Sequence, residues 1–334
     1  MRAFALYGLK RVGQFVLVVF IGINIAYLIS HATPIDPVEQ SIAAATNFGQ
    51  TSPEAVAMLR ESLRELYGLT GNPLEQYANF WRRIMVADFG PSLSAFPTPV
   101  TTLIARALPW TIGLLGTATL LAWLLGNLLG GLAGYYRGSR FFRFMGVIAM
   151  GLHPVPYYIA GFVLIIIFGY LWPVLPITGG SDMNLDQRLD VAHVLSILRH
   201  SILPAASLML IAVGGWFLGM RSLVSNVVTE DYVTYAELGG VAHRRILYSY
   251  VMRNAMVPQV TGLAMSLGTI FNGAVITEQI FGYPGIGALL VSAVYAGDYA
   301  LVLGVTTMSI IGVSAAVLVI DLVYPLLDPR VEAR

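Results

Sequence analysis

The sequence has no cysteine among its 334 residues and only one lysine, Lys10. Without cysteine there is no disulfide framework, no cysteine nucleophile and no zinc or iron–sulfur site built on thiolates. A phosphate-binding loop of the Gly-x-x-x-x-Gly-Lys type needs a lysine that reaches the phosphates. Lys10 is followed by Arg11 and is not preceded by such glycines. The chain therefore carries no ATP-hydrolysing P-loop of its own.

Charge is also scarce. Only 11% of the residues are charged, 57% are hydrophobic, the net charge is +1 and the mean hydropathy is +0.73. A soluble domain normally has about 25% charged residues, so this chain has too few to cover a water-facing surface. We predict an integral membrane protein, and the near-neutral charge gives no reason to expect nucleic acid as a partner.

Catalytic and metal-binding patterns are missing as well. The five histidines include no His-x-x-x-His pair, and the sequence contains no Gly-x-Ser-x-Gly nucleophile motif. We therefore predict no catalytic residues, no metal site and no cofactor bound by this chain.

Six stretches contain no Asp, Glu, Lys or Arg and are long enough to cross a membrane, which takes about 20 residues. They are 12–35, 107–136, 144–181, 200–220, 254–277 and 299–320. In the third, His153-Pro154-Val155-Pro156 predicts one bent span from about 143 to 171. The sequence thus predicts an all-α integral membrane protein with six transmembrane helices. A cleaved signal peptide is the alternative for residues 1–31. The apolar core of this stretch is longer than that of a signal peptide, so we predict a retained first helix.

Basic residues indicate the orientation. If both termini are cytoplasmic, inner segments hold 12 of the 19 basic and 6 of the 18 acidic residues, as the positive-inside rule requires. We also expect Asp321 to pair with an arginine at the inner face. The glycines 126, 130, 131 and 134 have the small-xxx-small spacing of a helix-packing face.

These spans divide the chain into four parts. We expect an N-terminal transmembrane helix (1–31), a periplasmic helical segment (32–107), a transmembrane core (108–327) that contains the cytoplasmic segment 229–257, and a cytoplasmic tail (328–334). The periplasmic segment contains two amphipathic helices, Pro53–Tyr67 and Leu74–Met85. Structural packing is the simpler interpretation of these helices, and a docking surface for an external partner is the alternative.

The cytoplasmic segment 229–257 does not have the pattern of a simple loop. Thr229 and two following acids predict a helix start, and the pair Gly239-Gly240 predicts its end. Ala236 and Gly240 are expected to share one shallow helical face, with a second helix beginning at His243. The pattern alone leaves open whether this helix receives another protein or is an ordinary interfacial helix.

Several motifs resemble those of a known family. Tyr232-Val233-x-x-Ala236-x-x-x-Gly240, followed by Arg244-Arg245, Arg253-Asn254-Ala255 and Pro258, is similar to the cytoplasmic signature loop of binding-protein-dependent ABC importer permeases, closest to the oligopeptide/dipeptide subfamily. Further similarities occur in chain order at Pro34-Ile35-Asp36-Pro37, Asp88-Phe89-Gly90-x-Ser92, Arg137-Gly138-Ser139, Thr277–Gly287 and Asp328-Pro329-Arg330. The long first outer segment and this tail resemble the first of the two permeases in such systems.

The resemblance implies partners. The chain would form half of a translocation pathway in a bacterial inner (plasma) membrane, in contact with membrane lipid and with a second homologous permease as a heterodimer. Two ABC ATPase subunits would bind the ATP, and an extracytoplasmic binding protein would deliver the substrate. Peptides are the expected substrate, with oligosaccharides or nickel as alternatives. A stand-alone secondary transporter or channel, and a membrane scaffold or receptor, are less favoured.

The resemblance also implies two sets of site residues. The ATPase-coupling set is Tyr235, Ala236, Glu237, Gly239, Gly240, His243, Arg244 and Arg245. The set expected to form a turn at the outer gate is Glu278, Phe281, Pro284 and Gly285. For the two arginines, positive-inside anchoring is an equally good explanation.

Overall fold

The computed structural model describes residues 2–32, 38–39, 42, 53–67, 70–182 and 190–327. The similarity at 34–37 and the tail 328–334 lie outside the described residues. The described part is helical, with one isolated bridge between Pro91 and Pro99 and no strand in these ranges.

The structure gives the bounds of twelve α-helices of six or more residues in these ranges. They are α1 Arg2–Ala32, α2 Pro53–Leu66, α3 Pro73–Met85, α4 Val100–Tyr135, α5 Arg140–Leu152, α6 Tyr157–Ile165, α7 Val191–Val227, α8 Asp231–Leu238, α9 Arg253–Gly268, α10 Val275–Ile280, α11 Ile286–Tyr295 and α12 Tyr299–Leu327. A π-helical turn, Ile166–Leu171, continues α6. One helical turn, His243–Arg245, and a π-helical segment, Ile246–Met252, lead into α9, and a 3-10 turn, Thr269–Asn272, follows it.

Four of these helices, α1, α4, α7 and α12, are long and apolar enough to cross a membrane. The pair α5 and α6, with its π-helical turn, passes the same test together but bends by 102° at the prolines between them. The all-helical membrane architecture is therefore confirmed, with four or five spans by length and composition among the described residues. The stretch predicted as a span at 254–277 is instead divided into α9, the 3-10 turn and the start of α10.

The predicted glycine face joins α4 to α7, which form the most extensive helix pair. A Cβ added at Gly130 would lie 2.4 Å from the carbonyl oxygen of Phe217, and one at Gly134 would lie 2.7 Å from that of Arg221. Backbones this close leave no room for a larger residue. The prediction of a packing face is confirmed, and it brings the backbones of α4 and α7 into close contact.

The first helix packs along the last. Arg11 in the N-terminal half of α1 forms an ion pair with Asp321 of α12, with 3.2 Å between nitrogen and oxygen. The hydroxyl of Tyr7 donates to the Asp321 carbonyl over 3.0 Å. The predicted pairing of Asp321 with an arginine is confirmed, and it joins α1 to α12; its place at the inner face stays a prediction.

The two predicted amphipathic helices are present as α2 and α3. Asn72 caps α3 through a reciprocal capping box with Glu75. The apolar face of α3 packs on α1, where the ring centroids of Phe80 and Tyr27 are 4.5 Å apart. The simpler interpretation, packing, therefore accounts for this face of α3.

Candidate functional site

The segment after α7 first terminates α7 and then begins α8. The hydroxyl of Thr229 donates to the carbonyl of Asn226 over 2.7 Å, which closes α7. Glu230 occupies the N-cap position of α8, and Asp231 is the acid in its first turn. The expectation that Thr229 caps α8 was therefore wrong, because its side chain is used by the preceding helix.

The glycine pair ends α8 as predicted. The N–H of Gly240 donates to the carbonyl of Glu237 over 3.0 Å, and the N–H of Val241 donates to that of Ala236 over 3.1 Å. These two bonds form a Schellman motif, whose C′ residue has a positive φ. Gly240 is that residue, with φ of 71°, so glycine is favoured there for its backbone conformation.

One face of α8 is buried in the protein itself. Val233 and Ala236 belong to a core cluster with residues of the flanking helices, including Met220 and Leu247. The expectation that Ala236 and Gly240 share a shallow exposed face was wrong. Ala236 points into the core, while Gly240 lies beyond the helix end with no atom within 4 Å of an added Cβ.

The opposite face of α8 is uncovered and carries two large apolar side chains. Tyr235 is 73% exposed and Leu238, one helical turn further on, is 80% exposed. The remaining predicted coupling residues, Glu237, Gly239, Gly240, His243, Arg244 and Arg245, are exposed around them. In the described part of the chain, Arg244 and Arg245 form no ion pair. We call Tyr235 and Leu238, with these neighbours, the α8 surface.

α8 is joined directly to the helix that follows it. The side-chain amide of Asn254, at the start of α9, donates to the hydroxyl of Tyr232 over 3.0 Å. The core cluster adds apolar contact between the same elements, since it includes Ala255 of α9 and Val233 of α8. These contacts hold α8 against α9.

A second site lies at the opposite end of the core, around Glu278. Its carboxylate, 0% exposed, accepts from the hydroxyl of Thr111 (2.8 Å) and from the N–H groups of Gly287 (2.7 Å) and Ala288 (3.1 Å). Thr111 in turn accepts from the N–H of Ile286 over 2.8 Å. Glu278 and Thr111 thus satisfy the free N–H groups at the start of α11, where a negative charge is favourable.

The turn between α10 and α11 is packed on its apolar side. Phe281 and Tyr283 are each 2% exposed and belong to one cluster with Leu114 and Leu203. The hydroxyl of Tyr283 lies 3.0 Å from that of Ser201. These contacts fix the turn against α4 and α7.

The two remaining residues predicted for this turn differ in environment. Gly285 is buried, and a Cβ added there would lie 2.3 Å from the carboxyl carbon of Glu278, so only glycine fits beside the carboxylate. Pro284 is exposed. The structure therefore brings Glu278, Phe281 and Gly285 together and leaves Pro284 at the surface. We call this arrangement the outer turn; its role as a gate stays a prediction.

A further buried carboxylate, Asp298, connects the outer segment to α12. It accepts from the hydroxyl of Ser92, from the N–H and hydroxyl of Ser94 (3.0 and 2.9 Å), and from the N–H of Leu301 (3.0 Å). Burial, together with the charge of Asp298, raises the pKa of nearby Tyr67 to about 12. Tyr67 thus keeps its proton and donates to the carbonyl of Pro91 over 3.3 Å.

Sequence reasoning missed Leu238, Thr111 and Asp298 as site residues. Asp298 precedes an apolar helix by one residue, which is an N-cap signal, and Leu238 lies at helical spacing from Tyr235. Thr111 has no comparable signal, because an isolated threonine within an apolar helix gives no indication of what it contacts.

The described core thus has an exposed helix, α8, at one end of α4 and α7 and a buried polar turn at the other. Residues 126–333 match the family described as binding-protein-dependent transport system inner membrane component. The chain belongs to this family.

Relatives are similar over nearly their whole length. The dipeptide transport system permease protein DppB of Escherichia coli (strain K12) is 31% identical over 98% of this chain and 98% of its own. The oligopeptide transport system permease protein AppB of Bacillus subtilis (strain 168) is 28% identical over 94% and 95%. The probable D,D-dipeptide transport system permease protein DdpB of Escherichia coli (strain K12) is 29% identical over 96% of each.

Proposed function

We propose that this chain is the permease subunit of an ATP-driven peptide importer, forming half of the translocation pathway. The α8 surface carries the proposal, because α8 is firmly attached on one face while Tyr235 and Leu238 are left exposed on the other. Exposed apolar side chains rimmed by polar residues mark a protein interaction site. Their place between α7 and α9 suits the docking of a separate ATPase subunit.

The proposed topology has six spans with both termini in the cytoplasm and the segment 32–107 in the periplasm. The fifth of these spans in chain order consists of α9 with the 3-10 turn after it. Sixteen α-helical and four 3-10 residues reach about 32 Å, close to the roughly 30 Å of a bilayer core. Its division near Gly273 supports a broken span rather than a loop outside the membrane.

The assembly we propose contains a second homologous permease, two ABC ATPase subunits and an extracytoplasmic binding protein, in a bacterial inner membrane. ATP is bound and hydrolysed on the ATPase subunits. Support comes from the family description and from the transport systems named for the relatives.

Di- and oligopeptides are the proposed substrates. The relatives named above are permeases of dipeptide, oligopeptide and D,D-dipeptide systems. Oligosaccharides and nickel remain the alternatives, and the delivering binding protein is the component to screen against all three.

The docking proposal is tested by replacing Tyr235 and Leu238 together with alanine. Truncating aromatic or aliphatic anchors of an interface costs about 2 kcal/mol or more, which lowers affinity by a factor of about 30. We expect ATPase subunits to be lost when the tagged complex is purified, and ATP-driven peptide uptake to fall with them.

The matched control is Tyr295→Ala, which removes a side chain that is 86% exposed at the end of α11, far along the chain from α8. The control is expected to retain the ATPase subunits. Normal ATPase recovery with the double variant, at normal membrane levels, would reject α8 as the docking helix.

A further inference from the structure

Two arginines hold the turn between α4 and α5 against α7. The guanidinium group of Arg137 donates to the carbonyls of Gly134 in α4 and Ser225 in α7. Arg221 of α7 lies over α5, because a Cβ added at Gly146 would be 2.5 Å from a nitrogen of its guanidinium group. The start of α5 is therefore fixed beside the last turns of α7.

Two further arginines, Arg140 and Arg143, are exposed in the first turn of α5. Neither guanidinium group forms an ion pair or a hydrogen bond with a residue that the structure describes. Residues 89–181 and 191–229, which include α4, α5, α6 and α7, contain no Asp or Glu. The acids that follow in α8 form no ion pair with a described residue either. The positive charge at this corner of the molecule is therefore not neutralised by these helices.

The helix α5 has one buried face and one exposed face. Gly146 and Ala149 are buried against α7, in the region of Phe217. On the exposed face, Phe144 is 64% exposed and Val147 is 58% exposed. These two side chains follow Arg140 and Arg143 by one helical turn and lie on the same side of the helix. The exposed face thus begins with two positive charges and continues with apolar side chains.

The surrounding residues indicate the depth of this face in the membrane. The apolar helix α4 ends at Tyr135, and the next residue, Tyr136, is 47% exposed. Tyrosine at the end of an apolar helix is typical of the membrane–water interface. In the proposed topology this end of α4 is cytoplasmic. Arg140 and Arg143 then lie at the level of the lipid headgroups of the inner leaflet, and Phe144 lies at the level of the acyl chains.

We propose that Arg140 and Arg143 bind the headgroup phosphate of an anionic phospholipid, whose acyl chain lies along Phe144 and Val147. Guanidinium groups bind phosphate oxygens through paired N–H donors, and basic surfaces between membrane helices on the cytoplasmic side bind anionic lipid headgroups. A lipid covers the charged and the apolar part of this face together, whereas a free anion covers only the charged part. The inference rests on the proposed topology and is independent of what the complex transports.

The test measures binding of phosphatidylglycerol to the complete co-purified complex in detergent. Native mass spectrometry at increasing lipid concentrations gives the affinity of the wild type and of the double variant Arg140→Gln with Arg143→Gln. We expect the double variant to bind phosphatidylglycerol about 30-fold more weakly, because each basic side chain near an anionic headgroup contributes a factor of about five. Zwitterionic phosphatidylcholine is expected to bind weakly and equally to both.

Two further variants separate a lipid site from general attraction of basic residues to the inner leaflet. Lys10→Gln with Arg253→Gln removes the same charge from two exposed residues that form no ion pair in the described part of the chain. This control is expected to keep nearly the wild-type affinity for phosphatidylglycerol. Phe144→Ala retains every arginine and is expected to weaken phosphatidylglycerol several-fold, because acyl-chain contact is lost.

Equal losses of affinity in the two double variants would overturn the inference, because general attraction would then explain the binding. Displacement of phosphatidylglycerol by an equal concentration of glycerol phosphate would also overturn it, since the ligand would be a free anion. Loss of the ATPase subunits from the variant at Arg140 and Arg143 would overturn it in favour of a protein partner. If the wild-type complex binds phosphatidylglycerol as expected but takes up no peptide with ATP, only the peptide importer proposal fails.

Discussion

The two ends of the membrane core are built in opposite ways. At the outer turn, a fully buried carboxylate accepts three hydrogen bonds, and neighbouring glycines are too crowded for a Cβ. At the α8 surface, two large apolar side chains are exposed and the terminal glycine has open space around it. The polar groups of the outer turn are satisfied within this chain, whereas the α8 surface leaves apolar side chains uncovered, which is why we propose that a partner binds there.

This difference predicts how substitutions act. Changes at the outer turn lower the stability of the subunit itself, because they leave buried polar groups unpaired or cause a steric clash. Changes at the α8 surface leave the subunit intact and weaken its association with another protein. The stability of the subunit and its association with a partner can therefore be measured separately. We expect substitutions at the outer turn to affect mainly stability, and substitutions at the α8 surface to affect mainly association.

The largest loss of stability is expected from Glu278→Ala. The N–H groups of Gly287 and Ala288 and the hydroxyl of Thr111 would all lose their buried acceptor. We expect the folded state to lose about 3–5 kcal/mol, which lowers the unfolding temperature of the purified complex by roughly 10 °C. Glu278→Gln, which keeps one carbonyl oxygen, is expected to lose less. An unchanged unfolding temperature would contradict the capping role of the carboxylate.

A smaller loss is expected from Asp298→Ala. This carboxylate holds Ser92 and Ser94 of the outer segment against the start of α12. We expect a cost of about 2–3 kcal/mol and faster proteolysis of the segment around Ser94, measured by limited digestion and mass spectrometry. Asp298→Asn serves as the control that retains an acceptor. Equal cleavage of Asp298→Ala and wild type would show that this carboxylate does not anchor the segment.

The smallest effect is expected at Gly240→Ala. Space is available, but φ of 71° is unfavourable for a residue with a Cβ, at a cost of about 1 kcal/mol. We expect a decrease of a few degrees in unfolding temperature. Gly138→Ala is the matched control, since that glycine is equally open without a positive φ. A decrease of the same size in the control would remove the conformational explanation.

Much of this architecture is predictable from the sequence. Scarcity of charge and long apolar stretches predict the membrane helices, and the spacing of Gly130 and Gly134 predicts a packing face on α4, which the structure places against α7. The pair Gly239-Gly240 predicts the end of α8. These features depend on residues that are close together in the chain, or on the length of an apolar stretch. Both are visible in the local sequence.

Other features depend on contacts between distant segments. Thr111 reaches Glu278 across 167 residues, and Asp298 reaches Ser92 across 206. Ala236 is buried by contacts with the flanking helices, which its spacing from Gly240 does not show, so the shared face was predicted wrongly. The division of the stretch 254–277 likewise follows from Gly273 packing on the outer turn, a contact that apolar length does not reveal.

The central claim is that this chain transports peptides only as part of an ATP-driven complex. It is tested most directly by measuring uptake of a labelled dipeptide into liposomes containing either the complete co-purified complex or this chain alone, with the binding protein present and with or without ATP. We predict uptake only for the complete complex with ATP. ATP-independent flux through this chain alone would contradict the account and identify a stand-alone carrier or channel.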